Sequence, residues 1–310
     1  MQSWRVCPQG SVALLRRFPV CRARCTLPDG RVIDAASTAD VRFIYDEVFG
    51  ERCYALHGLV LRPGDTVLDV GANVGLSCLF FAAAVSPGGC VVACEPAPAA
   101  FASLQRNVAA HCGPNSDVRL LSVGVSDGAA ASASLTVYPR ISGWSTLAPD
   151  EAETAANVSS FAVAAVPATL AAAFSWRPLR LLGAALTFLA SLLAPLLRLA
   201  SRAVTAVLLF GRHSVTVPLT TVSSILASQG LSTLSLLKID VERAELAVLR
   251  CVAASDWPRI SQVVAEVHDA SGRLEEVVRI LRFDASFRTV TSVQPPSLAG
   301  TNLWMVYAMR

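Results

Sequence analysis

The stretch Val67-Leu68-Asp69-Val70 is apolar over the length of a strand and runs straight into Gly71-Ala72-Asn73-Val74-Gly75. Apolar residues at helical spacing follow, namely Leu76, Leu79, Phe80 and Ala83. A buried strand, a glycine turn and a helix in immediate succession restrict the chain to an α/β fold with a parallel sheet. About twenty residues on, a second apolar run, Val91 to Cys94, ends in Glu95. A carboxylate at the end of that strand is placed to accept hydrogen bonds from both hydroxyls of a ribose. Turn and distal acid together read as the nucleoside-binding half of a Rossmann-like domain. A parallel-sheet protein with a merely glycine-rich turn explains less, because it leaves Glu95 without a reason.

A dinucleotide fingerprint needs Gly-x-Gly-x-x-Gly, whereas Asn73 and Leu76 hold the second and third glycine positions here. NAD and FAD are therefore disfavoured. The pattern Asp-x-Gly-x-Asn-x-Gly suits a nucleoside ligand without phosphates, and S-adenosylmethionine (SAM) fits that description.

The 310 residues are 53% hydrophobic, ample for a buried core, and the formal charge of +3 is too small to argue for a nucleic-acid partner. Nine cysteines, an odd number with no Cys-x-x-Cys pair, point to a reducing, intracellular compartment and away from structural zinc. Residues 1–25 carry five arginines and no acid, so they read as an organelle transit peptide or a basic extension. The folded domain is expected over 26–310, interrupted by a hydrophobic insert at 150–213.

Within that domain Leu27-Pro28-Asp29-Gly30 predicts a hairpin turn, and Ser37 with Asp40 a capping box before a helix that Gly50 ends. A helix is predicted over 97–110 and a third strand from Val118 to Val125, closing on Ser126-Asp127-Gly128. Asp127 there is expected to receive an adenine amino group, although a purely local Asp-Gly turn explains it equally well. Strands at 132–138, 215–222, 234–240, 261–267, 287–293 and 303–308 alternate with helices at 245–252 and 274–281, giving a mainly parallel sheet that closes on antiparallel strands. Ligands of such sheets bind at the carboxyl ends of strands, where Asp69, Glu95, Asp127, Asp240, Glu242 and His268 all fall.

The run Leu181 to Leu197 has about the minimum length of a membrane-spanning helix. Topology opposes a span, since strands before and after the run must join one sheet. Thr187, Ser191, Arg198, Arg202 and Thr205 share one stripe at helical spacing, which suits a helix bent at Pro195 that covers the site or makes peripheral membrane contact over 179–211. A poorly packed or mis-annotated insertion is the remaining explanation.

Several motifs in order resemble the FkbM-type methyltransferases: Asp69-Val70-Gly71-Ala72-Asn73-Val74-Gly75, Glu95-Pro96, Tyr138-Pro139-Arg140 with Ser142-Gly143-Trp144-Ser145-Thr146, Lys238-Ile239-Asp240-Val241-Glu242, and Ala265-Glu266-Val267-His268-Asp269. The commoner family wording has Gly where this chain has Arg243, and a basic residue there resembles the branch found in or beside polyketide and peptide synthetases. The resemblance implies a seven-stranded Rossmann-like methyltransferase sheet with helices on both faces and methyl transfer from SAM, usually to a hydroxyl oxygen. It implies that Asp69, Gly71, Asn73 and Gly75 surround the methionine part, Glu95 the ribose and Asp127 the adenine.

The acceptor is then expected to be a small or lipid-like hydroxylated molecule. An aliphatic hydroxyl benefits from a base, for which His268 is one candidate beside Asp240 and Glu242; a structural role for His268 competes with that reading. Asp240 and Glu242, with Glu266 or Asp269, offer oxygen ligands to a divalent metal, which the chemistry permits but does not require. Trp144 is expected either to wall the pocket or to pack in the core. The alternative to an enzyme is a non-catalytic SAM-binding or membrane-associated interaction protein that keeps the fold.

Overall fold

The computed structural model describes residues 23–160 and 194–310. An opening hairpin pairs β1 (Ala23–Thr26) with β2 (Val32–Ala35), beginning slightly before residue 26. Its turn closes through the Gly30 N–H on the Leu27 carbonyl at 3.0 Å, as the Pro-Asp-Gly composition predicts. Ser37 then caps α1 (Thr38–Tyr45) by accepting the Asp40 N–H, and the helix widens into a π turn over Asp46–Gly50.

The remaining elements follow as β3 (Thr66–Val70), α2 (Leu76–Val85), β4 (Cys90–Cys94), α3 (Pro98–His111), β5 (Asp117–Leu121), β6 (Gly124–Val125), β7 (Ser132–Val137), α4 (Ala194–Leu209), β8 (His213–Thr220), α5 (Val222–Ser228), β9 (Leu236–Ile239), α6 (Glu245–Arg250), β10 (Gln262–His268), α7 (Arg273–Arg279), β11 (Thr289–Val293) and β12 (Leu303–Met309). Seven strands form the main sheet in the order β11-β12-β10-β9-β3-β4-β5. Only β12 runs antiparallel to its neighbours, β10 and β11. The seven-stranded expectation holds.

Both faces of this sheet are buried, which is why its strands read as continuous apolar runs. Successive residues point to opposite sides: Leu68, Val92 and Leu237 enter one hydrophobic cluster, whereas Val67, Val91 and Leu236 enter the other. Truncating a fully buried leucine such as Leu68 to alanine costs about 2–5 kcal/mol. The opening hairpin is fastened to this body by Asn107 of α3, whose amide exchanges hydrogen bonds with the Asp34 backbone and donates to the Val74 carbonyl at 2.7 Å.

One expected strand divides. The run 118–125 leaves the main sheet after Leu121, and β6 joins β7 and β8 in a separate three-stranded sheet. Gly124 permits this departure, because a Cβ there would stand 2.8 Å from the Leu219 side chain.

The insert begins as a helical stretch over 151–160 and returns as α4. Most of the apolar run from Leu181, with Thr187 and Ser191, lies outside the described residues, as does the basic stretch before Ala23. Arg198, Arg202 and Thr205 of the expected stripe fall within α4, where Thr205 is buried with Ser201 and Arg202 is exposed. Leu196, Leu199, Val204, Val207 and Phe210 are also exposed. No helix among the described residues is long and apolar enough to cross a membrane.

Candidate active site

The turn after β3 is built against the backbone of the turn after β9. Gly71 has φ 83°, and a Cβ on it would lie 1.7 Å from the Asp240 carbonyl oxygen, so no other residue fits. Asn73 takes a left-handed conformation at φ 47°, which asparagine tolerates better than most side chains. Gly75, at φ 99°, starts α2. The glycine spacing thus records close backbone approach.

Asp69 is wholly buried and stands behind this turn. Its carboxylate accepts the Ser77 hydroxyl at 2.7 Å and lies 3.0 Å from Lys238 Nζ. Lys238 in turn donates to the Gly71 carbonyl at 2.7 Å and lies 3.6 Å from Asp240. Burial opposes its charge, but Asp69 and Asp240 outweigh burial and hold its pKa above the ordinary value. Lys238 therefore acts as a fixed cation under the turn. The sequence motif contained it without revealing this role.

Glu95 receives two backbone N–H groups, from Asn73 at 2.9 Å and Ala97 at 2.7 Å. Burial nevertheless pushes its carboxyl up to about 7. Each oxygen keeps lone-pair capacity for a ribose hydroxyl, so the same group shapes the turn and fits the expected nucleoside. Asp127 is placed differently from the expectation. It is exposed, comes after the small-sheet strand β6, and accepts the Ala129 N–H in a local turn; the residue next after the main-sheet strand β5 is Ser122. Of the two roles expected for Asp127, the local turn is the one whose hydrogen bond is present.

A second clamp reaches the turn from the segment 138–146. Ser142 Oγ donates to Asn73 Oδ1 at 3.0 Å, and its N–H donates to Asp40 Oδ2 of α1 at 3.0 Å. Burial raises the Asp40 carboxyl to about 6. Half-buried Trp144 ends the 3-10 turn Ser142–Trp144 and belongs to none of the hydrophobic clusters among the described residues.

The carboxyl ends of β9 and β10 gather the acids. Asp240 accepts the Tyr54 hydroxyl at 3.0 Å. Glu242 and Arg243 are both left-handed, at φ 47° and 76°. A Gly is unstrained at the second of these positions, which gives the family's commoner wording a physical reason. Arg243 offsets the strain by its side chain, which donates to Thr154 Oγ1 at 2.6 Å and lies 3.4 Å from Glu153 in the first stretch of the insert.

His268 is held between two carboxylates. Nε2 lies 3.0 Å from Glu242 and Nδ1 lies 2.8 Å from Glu245. A neutral imidazole has one N–H, so donating to both requires the doubly protonated ring. Burial opposes that charge, but the two glutamates raise the pKa well above the ordinary value. Held this way, a doubly protonated His268 has no lone pair to receive a proton, which favours the structural role over that of a base. Glu245, the first residue of α6, accepts the Arg243 N–H at 2.8 Å and is fully buried against His268.

Two further acids face this region. Glu266 lies on β10, and burial with Asp240 and Glu47 nearby raises its carboxyl well above the usual range. Burial, Asp240, Glu51 and Glu242 push Glu47 up to about 8. Glu47 carried no signal in the sequence; Glu266 and His268 did, since Glu-x-His on a strand puts both side chains on one face.

Comparison with known proteins agrees with this construction. The family model "Methyltransferase FkbM domain" matches residues 69–174 and 185–288. The chain is 37% identical to 31-O-demethyl-FK506 methyltransferase FkbM of Streptomyces tacrolimicus over 92% of this chain and 95% of that protein. It is 29% identical to a region of the AMB antimetabolite synthetase AmbE of Pseudomonas aeruginosa, covering 92% of this chain and 12% of that much longer protein. The crystal structure of methyltransferase FkbM from Methylobacillus flagellatus aligns over 87% of this chain and 53% of that one, at 12% identity and a TM-score of 0.44, too loosely to transfer residues. With the cofactor turn, the acid-lined strand ends and the family model in agreement, the chain belongs to the FkbM family of SAM-dependent methyltransferases.

Proposed function

We propose that this chain methylates a hydroxyl oxygen of a small metabolite, with Asp240 orienting the acceptor. The observation that carries the reading is the backbone contact between the Gly71 turn and Asp240, which joins the cofactor turn to the acid-lined strand ends without a spacer. The name of the Streptomyces relative, which specifies an oxygen at position 31 of FK506, supports oxygen as the accepting atom.

SAM supplies an electrophilic methyl group on a positively charged sulfur. Transfer forms a carbon–oxygen bond and breaks the carbon–sulfur bond, so the protein's task is mainly alignment and exclusion of water. Gly71, Asn73 and Gly75 shape the turn that admits the cofactor closely, Asp69 and Lys238 fix that turn from behind, and Glu95 accepts the ribose hydroxyls. Asp240, whose side chain is 28% exposed, accepts the hydrogen bond of the acceptor hydroxyl and takes its proton as the bond forms.

Calorimetric titration with S-adenosylhomocysteine, followed by an acceptor screen with methyl-labelled SAM, tests this. Product carrying the label on oxygen, with Asp240→Asn losing turnover but keeping S-adenosylhomocysteine affinity, is expected. Label on nitrogen or carbon, or full turnover by the variant, would overturn the assignment.

A further inference from the structure

We propose that Glu242, Glu266 and His268 form a binding site for a divalent cation of the magnesium or manganese class, with Glu245 supporting the imidazole from behind. One ligand atom from each of the three lies within 4.8 Å of the other two. Glu266 and His268 are neighbours on one face of β10, and Glu242 enters from the turn after β9. His268 Nε2 and Glu242 Oε2 are 3.0 Å apart. That separation matches two adjacent ligands on an octahedral ion with bonds of about 2.1 Å.

The imidazole is presented as metal-binding histidines are. Glu245 is wholly buried, is not one of the three ligands, and lies 2.8 Å from Nδ1. A carboxylate there keeps the proton on Nδ1 and turns Nε2 toward an ion, the usual outer support of a ligating histidine.

The Glu266 carboxylate supplies a second argument. Lys238 is shared between Asp69 and Asp240. Among the described residues, no salt bridge or hydrogen bond reaches the carboxylate of Glu266 or of Glu47, although both face Asp240 and Glu242 across the same region. Arg273, 3.8 Å from Glu245 and donating to the His268 carbonyl at 2.6 Å, pairs on the Glu245 side, so the Glu266 oxygens stay open to a ligand. A divalent ion displaces the Nε2 proton to solvent and leaves the Nδ1 proton on the Glu245 side. Two carboxylate oxygens and one imidazole nitrogen suit manganese or magnesium and leave coordination positions for water and an acceptor oxygen. A hydroxyl on such an ion loses its proton more readily than a free one. That last step rests on the acceptor-site reading above; ion binding does not.

The full chain, stripped with a chelator, is titrated with manganous chloride while free ion is read by electron paramagnetic resonance. One tightly bound ion per chain is expected, with an imidazole nitrogen coupling in the bound signal. The nitrogen coupling is lost in His268→Ala, and stoichiometric binding is lost in Glu266→Gln. Glu245→Gln weakens binding by about tenfold to a hundredfold. S-adenosylhomocysteine titration of each variant reports whether it is folded. Should His268→Ala fail to fold, the near-isosteric Glu266→Gln still decides. No stoichiometric ion in the wild-type chain, or unchanged binding in folded Glu266→Gln, overturns the site. Ion binding without S-adenosylhomocysteine binding would leave the site standing and count against the methyl-transfer reading alone.

Discussion

The carbonyl oxygen of Asp240 occupies the space that a side chain on Gly71 would need, with 1.7 Å between that oxygen and a Cβ built on the glycine. The loops after the adjacent strands β3 and β9 are thereby locked together at the carboxyl edge of the sheet. Gly71→Ala is expected to destabilise the chain by roughly 2–4 kcal/mol, combining left-handed strain with overpacking, and to abolish S-adenosylhomocysteine binding. Chemical denaturation and calorimetry check this; a variant that binds normally would mean that the two loops need not touch.

Arg243 separates backbone strain from anchorage. Arg243→Ala keeps φ 76° and loses both the Thr154 hydrogen bond and the Glu153 pair, whereas Arg243→Gly loses the same contacts but relieves the backbone. The glycine variant is expected to be more stable than the alanine variant by about 1 kcal/mol, and both should be cut faster by protease within the insert than the parent. Equal melting of the two variants would remove strain from the account.

Glu95 predicts a pH dependence with a definite sign. Its carboxyl is raised to about 7 by burial, so the folded chain holds this proton more tightly than the unfolded chain does. The stability contributed is present at low pH and is lost as pH rises from the ordinary carboxyl range through about 7. Ribose hydroxyls favour the charged form, so S-adenosylhomocysteine affinity should increase between about pH 6 and 8. Glu95→Gln should flatten the profile and weaken binding by about 1–3 kcal/mol. Calorimetry at three pH values decides; a flat profile in the parent chain counts against ribose contact.

Lys238 holds two carboxylates, one of them fully buried. Lys238→Met leaves Asp69 without its cation and should cost about 3–5 kcal/mol, read from urea denaturation. The double variant Lys238→Met with Asp69→Asn should recover part of that loss. No recovery would show that the lysine matters through the Gly71 carbonyl instead.

Tyr54 tests the acceptor end with little risk to the fold. Tyr54→Phe removes the hydroxyl that donates to Asp240 at 3.0 Å, which should cost about 0.5–1.5 kcal/mol of stability and lower turnover more than S-adenosylhomocysteine affinity. Melting, turnover and calorimetry on the same preparation separate these effects.

Local physics accounts for the features legible in the chain. The strands of the main sheet are buried on both faces, so β3, β4, β9 and β10 appear as apolar runs, and the Gly71 to Gly75 spacing marks a turn that only small or left-handed residues can make. Those features made the α/β class and the tight turn between β3 and α2 legible in the sequence, and placed Glu95 at the end of β4. Asp127 shows the limit: the run from Val118 to Val125 has one continuous propensity, yet packing against Leu219 takes β6 into another sheet, and propensity holds no record of that partner.

Tertiary structure decided the chemistry of the acids. His268 reads as a base in isolation because its intrinsic pKa suits one, but the fold brings Glu242 and Glu245, remote from it in sequence, to its two ring nitrogens. Glu47 and Tyr54 reach Asp240 from a segment nearly two hundred residues away in sequence, with no motif to announce them. Backbone turns and strand burial are encoded by neighbouring residues, so the sequence determined them. Protonation states depend on charge and solvent summed over every nearby segment, and only the assembled fold determines which segments are near.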